Sequence, residues 1–434
     1  MLGNKDTAVL GMMVFALFLG AGNVIFPPMA GYQAGSHWLA AALGFIVTGV
    51  GLPFVTLLVV AAAGNGEALS RGLPAWAATL FWCALYLVIG PTFAMPRVVN
   101  VAYELGALPL GLPAHDATRL VFACAFGAGG LWFMLRPGSL INHIGRVMTP
   151  ALLLLLAAVA AGVLVAPVSP VAPTGASDAF TAAADGLVSG YQTMDVLGAM
   201  AFGALVAQML SLKGITRSRD VARVTAKAGL ISAALLALLY LCLFYLGATA
   251  GTLAEGTPNG GQILARYVDA LFGPAGSVLM AGIILLACLT TLVGVTSASA
   301  AYFARTFPAL SYPRALAACM LATVVVANFG LDQLIRVTVP VLFLIYPPAI
   351  ALVVLHALKS RLSAPAFSAA LTLPVATLLG LADALNAAGL LGGGLLAVCR
   401  QLPLFAQGLG WLLPSALALA LSAVLPLARR MARA

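Results

Sequence analysis

Apolar residues run in long blocks along the chain, and polar residues gather in the gaps between them. The blocks fall at about 7–34, 38–63, 75–104, 118–135, 146–166, 189–212, 228–251, 275–304, 314–327, 332–356, 365–385 and 404–427. About 20 apolar residues cross a bilayer as a helix. Barrel strands would alternate apolar and polar positions. Here the runs are continuous and rich in Leu and Ala, which predicts helices. The expected fold is an all-α polytopic membrane protein of twelve transmembrane helices, with residues 1–434 as one transmembrane domain. Lys5 and Asp6 precede the first block and no small-residue cleavage site follows it, so that block reads as a span rather than a signal peptide.

Composition narrows the class. Hydrophobic residues make up 62% of the chain, charged residues 8%, and mean hydropathy is +1.08. Soluble domains carry about 25% charged residues, so a water-soluble enzyme, a disordered chain and a disulfide scaffold are excluded. The six cysteines (Cys83, Cys124, Cys242, Cys288, Cys319 and Cys399) are dispersed in apolar runs and read as core residues.

Charge predicts orientation. With a cytoplasmic N-terminus, the inside segments hold Lys5, Arg71, Arg136, Arg146, Lys213, Arg217, Arg219, Arg223, Lys227, Arg305, Arg314, Lys359, Arg361, Arg429, Arg430 and Arg433, 16 of the 21 cations. That bias follows the positive-inside rule and places both termini in the cytoplasm. It also accounts for the net charge of +9 without a nucleic-acid partner. Asp116, Asp178, Asp185, Glu255 and Asp269 fall in the predicted external loops, and P-V-S-P-V-A-P-T (167–174) reads as an extended external connector.

Interruptions in the apolar blocks locate candidate chemistry, because backbone inside a bilayer must find its own partners. The first block contains F-L-G-A-G-N-V-I-F-P-P (18–28). Unwinding near Ala21–Asn23 would free N–H groups for a carboxylate and carbonyls for a cation. A glycine-lined packing face with a proline kink is the other reading. The sixth block contains G-Y-Q-T-M-D-V-L-G-A-M-A-F-G-A (190–204), where Asp195 is either a functional acid or a helix-end residue facing an external vestibule. Breaks at corresponding positions of two five-helix sets point to an inverted repeat, 7–166 and 189–356, with 365–427 as two additional helices. The eighth block adds Thr290, Thr291, Thr296, Ser297 and Ser299, hydroxyls that either suit a hard monovalent cation or back-bond to their own helix.

F-A-L-F-L-G-A-G-N-V-I-F-P-P, G-Y-Q-T-M-D-V-L-G-A-M-A-F-G, C-L-T-T-L-V-G-V-T-S and V-P-V-L-F-L-I-Y-P-P resemble segments of the bacterial branched-chain amino acid carriers, the LIV cation symporters, and the similarity runs from about Lys5 to about Leu355. That family is similar to the leucine-transporter-fold group. The resemblance implies a 5+5 inverted repeat with broken helices 1 and 6, plus two helices. It implies uptake of leucine, isoleucine and valine with Na⁺ as the coupling ion, by alternating access, in the bacterial inner membrane.

Carried over by position, the resemblance puts a Na⁺ site at the carbonyls of Ala16, Leu19 and Ala287 and the hydroxyls of Thr290 and Thr291, with Thr296 and Ser297 as the rival register. It puts the substrate carboxylate near the N–H groups of Ala21, Gly22 and Asn23. The ammonium would meet unwound carbonyls near Val196 and Leu197, assisted by Asp195. The aliphatic side chain would lie against Met194, Met200 and Phe202. A second Na⁺ is not implied, because its usual hydroxyl position aligns with Leu197. Arg97 reads as an external gate with Glu104, Asp195 or Asp332, or as a structural ion pair; Tyr103 and Tyr191 could cover the site from outside. Arg336 and Asp383 receive no role.

An intramembrane enzyme would show clustered Asp or H-E-x-x-H, and a channel a filter loop or charge rings; the chain has neither. No cofactor and no assembly beyond a monomer is expected. Proton coupling of another small amino acid on the same fold is the nearest rival, with Asp195 as its titratable group.

Overall fold

The computed structural model describes residues 4–135, 140–171, 178–212, 214–215 and 217–431. Arg136, Lys213, Arg433 and residues 172–174 of the proposed connector lie outside that set.

The described residues form helices α1 (Asn4–Phe18), α2 (Ala21–Ala34), α3 (Trp38–Ile46), α4 (Leu52–Ala63), α5 (Ala75–Leu87), α6 (Ala94–Val101), α7 (Asp116–Met134), α8 (Leu140–Val165) and α9 (Ala179–Tyr191). There follow α10 (Asp195–Leu212), α11 (Ser218–Ala248), α12 (Gly260–Thr306), α13 (Tyr312–Ala327), α14 (Leu331–Ala357), α15 (Pro365–Ala387), α16 (Gly393–Cys399) and α17 (Leu412–Met431). Seven helical stretches are long and apolar enough to cross a membrane, and four shorter apolar helices accompany them. Leu43, Leu80, Val121, Leu230, Leu321 and Leu378 are exposed on the outside of the bundle, as a lipid-facing surface requires.

Three wide π turns interrupt otherwise continuous helices: Val47–Gly51 between α3 and α4, Val88–Thr92 between α5 and α6, and Ala102–Ala107 after α6. The second follows from Pro91 and contains Gly90 in a non-helical conformation (φ −96°, ψ −119°). It re-aims α6, which Asn100 then ties to the end of α13 by donating to the Ala327 carbonyl at 2.9 Å.

Several boundaries differ from expectation. The broken sixth helix starts at Ala179, so Asp178 and Asp185 are not in a loop: Asp178 caps α9, accepting from the Thr181 N–H at 2.8 Å, and Asp185 lies within it. Gly186 falls in the predicted loop and Gly190 in the sixth block, and both serve close packing on α3 and the turn after it. A Cβ on Gly186 would meet the Ala41 carbonyl oxygen at 2.0 Å. Residues 260–272, expected in an external loop, are helical; α12 kinks at Gly273 (φ 64°) before Pro274 and continues as the eighth span. All six cysteines are free thiols, and Cys124 is exposed rather than in the core. The connector is pinned down: the Val168 N–H donates to the Tyr267 hydroxyl at 3.0 Å and the Ser169 hydroxyl to the Thr249 carbonyl at 2.9 Å.

Candidate substrate and cation site between the two broken helices

The first break comes at Leu19–Gly20, two residues ahead of the expected Ala21–Asn23. Gly20 turns in extended backbone (φ −99°, ψ −178°), and Asn23 closes it from above by accepting the Gly20 N–H on its Oδ1 at 3.1 Å. The Gly20 N–H, which a continuous helix would give to Ala16, goes also to the Phe18 carbonyl at 2.7 Å. The Asn23 N–H, which would go to Leu19, goes to the Gly20 carbonyl at 3.2 Å. The Ala16 and Leu19 carbonyls are thereby released from the helix ladder. Ala21 and Gly22 open α2 with N–H groups that have no helical acceptor. The Asn23 N–H is committed, so only its side chain remains for the site.

The second break is Gln192–Met194, upstream of the expected carbonyls. Val196 and Leu197 are in the first turn of α10 and buried, and the Gly198 N–H already returns to the Met194 carbonyl at 2.8 Å. They are therefore not unwound acceptors. The carbonyls turned out of the helix ladder belong to Gln192 and Thr193 instead, and both accept from Arg97. The turn depends on Met194, a non-glycine residue at φ 66°.

Asn23 joins the two breaks. Its Nδ2 donates to Asp195 Oδ2 at 2.7 Å and also meets the Tyr240 hydroxyl of α11, and that hydroxyl lies 3.4 Å from the same carboxylate oxygen. Asn23 is 1% exposed, Asp195 6% and Tyr240 0%. Asp195 is thus a buried acid between the breaks, not a residue facing an external vestibule. Tyr240 escaped the sequence reading; the signal was a phenol hydroxyl in the middle of an apolar block, with a second at Tyr245.

Arg97 reaches the same place from α6. Its Nη1 donates to the Gln192 carbonyl at 2.6 Å and its Nη2 to the Thr193 carbonyl at 3.4 Å, and its Cζ lies 5.1 Å from the centre of the Phe26 ring. Neither Glu104 nor Asp332 is its partner. Asn259 donates to both of those acids, at 3.1 and 3.4 Å, in a separate cluster. Tyr103 is also elsewhere: its hydroxyl donates to the Pro113 carbonyl at 2.7 Å. Tyr191 does stand at the break, stacked on Tyr346 with ring centres 4.5 Å apart. Gly198 and Phe202 continue the helix face that starts at Asp195, and Met194, Met200 and Phe202 are all buried.

On α12, Thr290 and Thr291 both donate their hydroxyl hydrogens to the Ala287 carbonyl, at 2.7 and 3.0 Å. Ala287 is then a committed acceptor and a poor cation ligand. The two Thr oxygens keep their lone pairs, because each hydroxyl spends only its hydrogen. Ser299 points to the Tyr86 carbonyl at 3.3 Å, and the buried Thr296 hydroxyl has no hydrogen-bond partner among the described residues. Asp383, 2% exposed, is buried under the Gly410–Trp411 turn, a Cβ on Gly410 falling 3.2 Å from its Oδ1.

Two discontinuous helices meeting at buried polar groups inside an apolar helical bundle define a transporter of the leucine-transporter fold. The solved structures agree on the fold. A manganese transporter of Eremococcus coleocola superposes with a TM-score of 0.62 at 14% identity, covering 97% of each chain. The structure of MhsT in complex with L-phenylalanine superposes with a TM-score of 0.57 at 15% identity, covering 95% of this chain and 97% of its own.

The sequence matches the branched-chain amino acid transport protein family over residues 3–429, and the chain belongs to that family. It is 51% identical over 417 residues to the branched-chain amino acid permease BrnQ of Haemophilus influenzae, covering 96% of each. It is 43% identical over 426 residues to the branched-chain amino acid transport system 2 carrier protein of Pseudomonas aeruginosa, covering 96% of this chain and 95% of that one. The BrnQ permease of Escherichia coli K12 is 39% identical over 428 residues, covering 98% and 96%. The protein is a polytopic membrane transporter and not an enzyme, and the similarity extends past Leu355 into its last helices.

Proposed function

We propose that the protein takes up leucine, isoleucine and valine together with Na⁺, by alternating access, as a monomer in the bacterial inner membrane with both termini in the cytoplasm. The family's named substrates support the choice of amino acid. The observation that carries the mechanism is the Asn23 bridge, which ties the break of α1–α2 to the break of α9–α10 through Asp195. A group held by both breaks senses a change in either, as a carrier's central site must. The two five-helix sets, 7–166 and 189–356, act as the moving repeats, with 365–427 outside them.

For the ion, the released carbonyls of Ala16 and Leu19 and the hydroxyl oxygens of Thr290 and Thr291 form a neutral oxygen set suited to Na⁺. The Ala287 carbonyl drops out of that set. Thr290→Ala with Thr291→Ala removes two proposed ligands and is expected to raise the Na⁺ concentration needed for half-maximal leucine uptake by roughly 10-fold or more. Uptake into proteoliposomes under an inward Na⁺ gradient, compared with an inward H⁺ gradient, measures this. Uptake driven by H⁺ alone would discard the Na⁺ site and move coupling to Asp195. Phe202→Ala is expected to weaken leucine uptake by about 10-fold, consistent with 1–3 kcal/mol for a pocket group, at an unchanged Na⁺ requirement. Competition among the three amino acids reads that change directly.

A further inference from the structure

Arg97 is 4% exposed and sits where the two breaks meet. A guanidinium carries five N–H donors and no acceptor. Two of them go to neutral carbonyls, Gln192 and Thr193, and the buried Nε has no hydrogen-bond partner among the described residues. A buried cation whose hydrogen bonds all go to neutral oxygens keeps donor capacity for an anion. Its position is built. A Cβ on Gly22 would fall 2.9 Å from Arg97 Nη2, so glycine at 22 is what lets the guanidinium close on the start of α2. Ala21 and Gly22 open α2 at that same place, with N–H groups that lack a helical acceptor, and a helix start favours negative charge.

The opposite charge is close by but not in contact. The hydrogen bonds of the Arg97 guanidinium run to backbone carbonyls, while Asp195 Oδ2 accepts from Asn23 and Tyr240. The molecule therefore holds one buried cation and one buried anion side by side, each satisfied by neutral groups.

We infer that Arg97 is the receptor for the substrate's α-carboxylate, opposite Asp195 as the acceptor for its α-ammonium, so that the site recognises a free zwitterionic α-amino acid by both of its charges. This rests on the amino acid uptake proposed above. In the structure described here the Gln192 and Thr193 carbonyls occupy the guanidinium. A carboxylate displaces them, because its two charged oxygens match the planar guanidinium as a bidentate ion pair, which two separate neutral carbonyls do not. The displaced carbonyls are then free to accept from the ammonium beside Asp195. One substrate thus exchanges partners on both sides of the second break at once. The aliphatic side chain takes no part, so selection for the zwitterion is separate from selection for leucine, isoleucine and valine.

The test is equilibrium binding of radiolabelled leucine to the purified full chain in detergent, displaced by unlabelled leucine or by leucinamide, which keeps the ammonium and lacks the carboxylate. Wild type is expected to prefer leucine to leucinamide by roughly 100-fold. Arg97→Gln is expected to lose about 100-fold in leucine affinity while leucinamide affinity stays within about 3-fold, so the preference disappears. Arg97→Lys, which keeps the charge without the planar fork, is expected to fall between them and also serves if Arg97→Gln does not fold. Equal losses for leucine and leucinamide in the folded variants would make Arg97 a structural gate and overturn the proposal, as would unchanged leucine affinity. Wild-type protein that binds no leucine would instead overturn the uptake reading on which the proposal rests.

Discussion

Asp195→Asn is expected to lower leucine uptake by at least about 100-fold in protein that still folds and elutes as wild type does. The replacement has the same shape, and its amide oxygen can keep the Asn23 and Tyr240 contacts that Asp195 makes. What disappears is the negative charge. Hydrogen bonds to a charged group contribute about 1.5–3 kcal/mol each, and every 1.4 kcal/mol is tenfold in affinity. Initial uptake rates in proteoliposomes, normalised to reconstituted protein, measure the effect. Retention of most of the wild-type rate would remove Asp195 from the site and leave it a structural bridge.

Gly247→Leu is expected to prevent assembly of the bundle, leaving no monodisperse protein after detergent extraction and size-exclusion chromatography. A Cβ at 247 would fall 1.9 Å from the Pro28 carbonyl oxygen, and one at Gly31 would fall 2.1 Å from the Phe244 carbonyl oxygen. The crossing of α2 and α11 is therefore backbone against backbone in both directions, and no rotamer relieves the overlap. Inside a bilayer the hydrophobic effect does not hold helices together, so separating this pair forfeits the packing that does. The expected cost exceeds about 4–5 kcal/mol, the range reserved for core disruption. Gly129→Ala is the control, since nothing lies within 4 Å of a Cβ there. Normal yield and uptake for Gly247→Leu would show that the crossing is dispensable.

The pattern of apolar blocks and their polar interruptions made the helical bundle and both breaks legible in sequence, each break within two or three residues. Glycine and proline mark where a helix weakens, but the residue at which it parts depends on hydrogen bonds such as Asn23 to Gly20, which sequence does not display. The hydrogen-bond partners of Arg97 were hidden for a related reason, although Asp195, one of the three acids expected, does lie beside it. Charge suggests an acid, whereas the structure supplies carbonyls freed by a turn. Tyr240 was not singled out, because a tyrosine in an apolar block looks like packing until the fold brings it to Asp195. The segments 179–188 and 260–272 read as loops because their small and polar residues lower the local hydropathy, although those residues serve caps and close crossings.

Met194 carries a methionine side chain in a backbone region that glycine occupies freely. Such a residue raises the energy of the turn by about 1–3 kcal/mol. That penalty exists only while the segment keeps this shape, and any rearrangement returning residue 194 to negative φ recovers it. At about tenfold per 1.4 kcal/mol, one side chain biases the populations of the break by roughly one to two orders of magnitude. The second break is thus a loaded hinge, and the identity of residue 194 sets how readily it springs.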